Sequence, residues 1–168
     1  LNSLTIQAGG TFTADAATIT MDGNWNVSNG TFTAGTSTVV FAANATSSAT
    51  NSDITAFYNF TVNVGITLTL GGQQRHTNVA TINGTVADGW LWSVQSRHAT
   101  PLVLGASSTV TAPVFEVMMN LTAYNWPIST YGSVTFIDGS GAGTATVTVT
   151  GGPAATLTVA GLSIGINS

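Results

Sequence analysis

Apolar and polar positions alternate along this chain in short bursts, and one burst occurs twice. Thr11-Phe-Thr-Ala-Asp-Ala-Ala-Thr-Ile-Thr-Met21 is followed, twenty positions on, by Thr31-Phe-Thr-Ala-Gly-Thr-Ser-Thr-Val-Val-Phe41. Phe12 matches Phe32, Ala14 matches Ala34, Thr18 matches Thr38 and Ile19 matches Val39. A glycine turn introduces each copy, Gly9-Gly10 before the first and Asn29-Gly30 before the second. A repeat of about twenty residues is the size of one coil of a β-solenoid, in which each coil needs a neighbour to bury its apolar face.

Helix signals are nearly absent: leucine is scarce, β-branched residues dominate, and no Glu-Lys pairs fall at i, i+4. Short runs bounded by Gly, Asn and Ser predict strands instead. The first fall at 4–6, 11–13, 18–21 and 25–27, then at 31–34, 38–42, 57–63 and 66–70. Others follow at 79–82, 90–94, 102–104, 109–111 and 114–121, and the last at 133–137, 144–150, 155–159 and 162–164. In Thr144-Ala-Thr-Val-Thr-Val-Thr150 every second residue is threonine, which predicts a hydroxyl row facing water above an apolar inner row.

Such short, closely spaced strands suit an all-β single domain over 1–168, a parallel β-helix-like solenoid with coils of about twenty residues. An antiparallel β-sandwich is the alternative, because the repeat fades after Leu70 and the last third also reads as hairpins. An eight-stranded transmembrane barrel is a third option that the length and alternation permit. Most runs are shorter than the roughly 9–11 residues a spanning strand needs.

Composition narrows the partners. Only 5% of the 168 residues are charged, net charge is −4, and Arg75 and Arg97 are the only cations besides histidine. So little positive charge argues against nucleic acid or an anionic membrane surface as partner. No apolar run approaches the roughly 18 residues of a membrane-spanning helix. Polarity comes from thirty threonines together with serine, asparagine and glycine, and there is no cysteine. Stability therefore rests on packing and hydrogen bonds, and the chain is indifferent to redox conditions. The chain opens at Leu1 without a basic, apolar leader, so either a signal segment has been removed or this is one module of something longer. An extracellular or cell-surface location is expected.

Gly9-Gly-Thr-Phe-Thr13, Asp22-Gly-Asn-Trp-Asn-Val-Ser-Asn-Gly-Thr-Phe-Thr-Ala-Gly-Thr-Ser-Thr-Val-Val-Phe41 and Phe57-Tyr-Asn-Phe-Thr-Val62 resemble modules of repetitive bacterial surface proteins. Those are similar to filamentous-haemagglutinin-type and autotransporter-passenger β-helices. The resemblance covers about the first seventy residues and implies an exported, non-enzymatic fibre or adhesin. It carries over no catalytic signature.

Two segments share the form Gln-x-Arg-His: Gln73-Gln-Arg-His76 and Gln95-Ser-Arg-His98. Stacked at one corner, with Trp90 and Trp92 between them, Arg75, His76, Arg97 and His98 could line a groove for an acidic glycan. The plainer reading is one repeated solvent-facing corner. Metal binding by His76 and His98 lacks an accompanying carboxylate or cysteine at ligand spacing. The carboxylates Asp15, Asp22, Asp53, Asp88, Glu116 and Asp138 show no clustered pair of the kind a glycosidase needs. Three of them precede glycine and read as turns. A calcium loop over 137–143 lacks the repeated nonapeptide of calcium-binding β-rolls. No catalytic residue and no cofactor are expected. Among the Asn-x-Ser/Thr sequons, Asn29, Asn44 and Asn83 are the candidate glycosylation sites, in turns.

Edges of β-sheets are normally blunted with lysine, proline or inward charge. There is no lysine anywhere, and both ends of the chain read as apolar strands. Pairing of these ends with another copy, or with an adjacent module, is expected to bury Leu4, Ile6, Leu157, Val159, Leu162 and Ile164. A homopolymer, an extracellular filament, would result. The rival expectations are an adhesin or glycan-binding module and a polysaccharide-acting β-helix enzyme.

Overall fold

A computed structural model describes residues 1–27, 29–49, 56–87, 91–111, 114–119, 123–127, 130–138, 146–150 and 158–166. Side chains are described as far as 111 and at 116, 117 and 125–127. The described residues form strands and turns with no helix. The chain is a β-solenoid, and every strand pair is parallel.

The first coil consists of β1 (Leu4–Ile6), β2 (Thr11–Thr13) and β3 (Thr18–Met21), one strand for each of three faces. The second repeats it with β4 (Trp25–Val27), β5 (Thr31–Thr33) and β6 (Thr38–Phe41). The third holds β7 (Ala45–Ala49) and β8 (Asn59–Val62); among its described residues Phe57 stands on the second face and bridges to His76. The fourth holds β9 (Thr67–Leu70), β10 (Gln74–His76) and β11 (Ala80–Ile82), and the fifth β12 (Thr85–Ala87), β13 (Leu91–Val94) and β14 (Leu102–Leu104). Beyond these come β15 (Thr109–Val110), β16 (Val114–Met119), β17 (Ala123–Pro127), β18 (Thr130–Asp138), β19 (Thr146–Thr150) and β20 (Thr158–Ile166). The first face runs β1-β4-β7-β9-β12-β15 and the third β3-β6-β8-β11-β14. The second face is β2-β5, then, past the Phe57 bridge, β10-β13-β16-β18-β20.

The twenty-residue repeat is the register itself. Phe12 lies beside Phe32, Thr18 beside Thr38 and Ile19 beside Val39. The corners repeat too: Gly9 and Asn29 share a left-handed turn conformation (φ 78° and 60°), as do Asp15 and Gly35 (φ 51° and 57°). A Cβ on Gly35 would collide with the Asp15 carbonyl oxygen, so glycine is what lets the second coil settle onto the first.

Alternation places one row of each strand inward. An aromatic column results: Phe12 stacks on Phe32 at 5.9 Å, and Trp25 meets Phe32 edge-on at 4.7 Å and Phe57 at 5.1 Å. Phe57 passes it to Phe60 at 5.4 Å, and Phe60 to Trp92 at 5.4 Å. Edge-to-face pairs of this kind add about 0.5–1.5 kcal/mol each beyond their area burial.

The parallel pairing overturns the sandwich alternative and the antiparallel hairpins read into the last third; β16, β18 and β20 are parallel neighbours. It likewise sets aside the barrel, which calls for antiparallel strands. Four strands carried no sequence signal: β7, β10, β12 and β17. The reason is visible in β7, Ala-Thr-Ser-Ser-Ala, where Ser47 lies beside Trp25. The indole fills the interior, so only a small side chain fits above it. The two runs read at 155–159 and 162–164 merge into β20, with 155–157 outside the described residues.

Candidate functional site

The two Gln-x-Arg-His segments do not stack. Register sets Gln74 beside Trp92, Arg75 beside Ser93 and His76 beside Val94, so Gln95-Ser-Arg-His98 begins where β13 ends. Arg97 and His98 are exposed on the way to β14, whereas His76 and Trp92 are fully buried. The expected glycan groove of Arg75, His76, Trp90, Trp92, Arg97 and His98 is corrected accordingly: two of its members face the core, and Trp90 lies outside the described residues. The spacing of twenty-two residues failed as a guide because coils here differ in length.

What the fold makes of His76 is a core hydrogen-bond relay. Trp92 Nε1–H donates to His76 Nδ1 at 2.9 Å, and an indole can only donate, so Nδ1 carries no proton. His76 Nε2–H therefore donates to the Pro101 carbonyl at 3.0 Å, which ties β10 to the chain entering β14. Burial pushes the imidazole down to about 4 from its usual 6.5, with the Pro101 bond opposing. Beside it, the buried Ser47 hydroxyl donates to Gln74 Oε1 at 2.6 Å and joins the first face to the second. Each polar group is bearable in the interior because a partner takes it up. Metal ligation by His76 and His98 does not arise: one is buried in this relay, the other exposed. Among the described residues no three His, Asp or Glu side chains gather as a metal site.

The described carboxylates fall on separate stretches of the fold, Asp138 at the end of β18. Asp15 is in the corner between β2 and β3, Asp22 between β3 and β4, and Glu116 in β16 on the second face. Asp53, Asp88 and 139–143 of the proposed calcium loop lie outside the described residues.

At the first coil three strand edges are open. Among the described residues each of β1, β2 and β3 has a strand partner on one side only, respectively β4, β5 and β6. Leu4 N–H donates to the Asn24 carbonyl and Ala14 N–H to the Thr33 carbonyl, so alternation turns the amides of Thr5, Thr11 and Thr13 to the free side. On β3 Leu1 meets the outward side twice: Asp22 N–H donates to the Leu1 carbonyl at 2.7 Å, and the Leu1 ammonium donates to the Thr20 carbonyl at 2.5 Å. Of the expected interface residues, Leu4 is half-buried and Ile6 nearly buried. Val159, Leu162 and Ile164 lie in β20, beside Tyr131, Val134 and Phe136, and among the described residues β20 has a strand partner on one side only. Leu157 lies outside the described residues.

Sequence reasoning missed the asparagine corners. Asn24 Oδ1 accepts from Thr46 N–H and Asn44 Oδ1 from Thr67 N–H, both at 2.8 Å, and Ser3 Oγ accepts from Asn24 N–H in the same way. On the approach to the third face, Asn78 Nδ2 donates to Asn59 Oδ1 at 2.8 Å. The signal was available, since Asn24 and Asn44 share the twenty-residue spacing of Phe12 and Phe32. Of the candidate glycosylation sites, Asn29 and Asn44 are exposed and Asn83 is half-buried. No helix among the described residues is long and apolar enough to cross a membrane. Comparison with known proteins finds no matching family, no matching curated relative and no matching solved structure.

Proposed function

We propose that this chain is a non-enzymatic structural module of an extracellular filament or cell-surface fibre. It associates end to end, the rim of the first coil pairing with the β20 end of another copy or of an adjacent module. The observation that supports this most is the row of outward amides at Thr5, Thr11 and Thr13, on strands with no lysine or proline to guard them. Half-buried Leu4 and Phe12 lie at the same end, where the aromatic column stops. An added coil would supply ladder hydrogen bonds to the backbone and an apolar surface to Leu4 and Phe12. The contact is heterologous and does not close, so it propagates as a fibre. A net charge of −4 offers little repulsion.

Proline tests this cleanly. Thr5→Pro with Thr13→Pro removes two outward N–H groups without touching the bonds to β4 and β5, a placement edge strands tolerate. Wild type is expected to form linear assemblies in negative-stain micrographs, and the double variant to stay monomeric by light scattering with its melting temperature nearly unchanged. A wild type that stays monomeric at high concentration, or a variant that assembles equally well, removes the reading.

A further inference from the structure

The outward side of the first face carries a feature that end-to-end pairing does not use. A shallow trough of about 460 Å³ opens there, lined by Asn24, Asn44, Ala45, Thr46, Thr67 and Thr69. Its floor is set by register: Thr46 lies beside Thr69, and Thr67 beside Thr85, itself beside Thr109. One hydroxyl column runs Thr67, Thr85, Thr109 and a shorter one Thr46, Thr69, ending at Ala87. Rows step about 4.8 Å from coil to coil, and the two columns stand about 6.7 Å apart on β9. Ala45 and Leu68, the alternate residues of these strands, are buried beneath. Branching at Cβ restricts threonine rotamers, so the pattern is held rather than averaged.

Asn24 and Asn44 complete the lining. Because the Thr46 and Thr67 amides hold their Oδ1 atoms, each side-chain amide has a set orientation and keeps Nδ2 as a donor one coil step from the next. The trough therefore offers hydroxyls that donate and accept beside oriented amide donors, with no charged group and no aromatic ring in its lining. An anion would find no cation, and an apolar segment no apolar pocket. A pyranose edge matches it, and the coil step is close to the length of one ring along an extended glycan. We propose that this trough binds a neutral polysaccharide chain lying along the solenoid axis, one sugar ring per coil. Without an aromatic platform each contact is weak, and affinity comes from repetition over successive coils.

Native gel electrophoresis of the whole chain through dextran, galactomannan or hydroxyethyl cellulose tests this. At least one polymer is expected to retard the wild type. The variant Thr46→Val, Thr67→Val, Thr69→Val, which keeps shape and strand propensity but removes the hydroxyls, is expected to bind about tenfold more weakly. Thr61→Val with Thr81→Val on the third face serves as the control and is expected to bind as wild type does. Should the triple variant lose its cooperative melt, Thr69→Val alone replaces it, with weaker binding again expected. Failure of all three polymers to retard the wild type overturns the proposal, as does wild-type binding by the first-face variant or an equal loss in the third-face control.

Discussion

The first two coils and the three that follow solve the same problem with different interiors. In coils one and two the chain repeats almost literally, and apart from Ser37 the buried side chains are apolar, among them Met21, Trp25, Val27, Phe32, Val39 and Phe41. Coils three to five admit Ser47, Gln74, His76, Ser93 and Ser96 to buried positions, and among the described residues of coil three Phe57 carries the second-face bridge. A solenoid coil is stabilised mainly by its neighbours, so an interior can change character along the axis provided that each polar group finds a partner within reach. The pairing is incomplete in both regions, because the buried hydroxyls of Ser37 and Ser93 have no hydrogen-bond partner.

Phe57 joins the two interiors, touching Trp25, Phe32 and Phe41 on one side and Phe60 on the other. Phe57→Ala is expected to cost about 3–5 kcal/mol. Urea unfolding should then show the two regions melting apart; a single transition at the wild-type midpoint would dissolve the distinction between them.

Acid separates the regions by a different route. The folded His76 takes up its proton only near pH 4, whereas the unfolded chain takes it up near pH 6.5. Its contribution is therefore complete above about pH 6.5 and declines as pH falls toward 4, by about 3 kcal/mol in all. Below pH 4 both states are protonated and this contribution changes no further. Protonation would also place a hydrogen on Nδ1, against the Trp92 indole N–H. Hydrogen exchange between pH 6.5 and 4 should rise first in β10 and β13 and leave β4 and β6, each paired on both sides, protected. His76→Gln should flatten this part of the pH profile.

The smallest of these effects probes the literal repeat. Gly35→Ala imposes a left-handed conformation on alanine and sets its Cβ against the Asp15 carbonyl, at an expected cost of about 1–3 kcal/mol. Gly65→Ala has the same backbone conformation but open space around its Cβ. It should cost less, and thermal melts of the two variants would separate strain from collision.

The same contrast explains what was legible beforehand. Where Phe12 and Phe32, or Ile19 and Val39, stand in register, the amino-acid pattern alone yields coil, strand and facing, because apolar burial is the cause of all three. It fails where burial is not apolar. Gln74-Arg-His76 reads as a polar corner, yet Gln74 and His76 point inward, since Ser47, Trp92 and Pro101 hold them through bonds no local pattern records. The asparagine corners were hidden for the opposite reason, because exposed Asn in a turn is the ordinary expectation. The open rim of β1 and β2 was foreseeable from the missing lysines, although which amides face outward follows only from the register.

That rim offers the most direct measurement: deuterium uptake at the amides of 4–13 in monomeric and concentrated samples of the wild-type chain. End-to-end pairing predicts that Thr5, Thr11 and Thr13 exchange rapidly in the monomer and become protected on assembly, while the amide of Leu4, already bonded to Asn24, changes little. Assemblies in which those three amides still exchange at the monomer rate would contradict it.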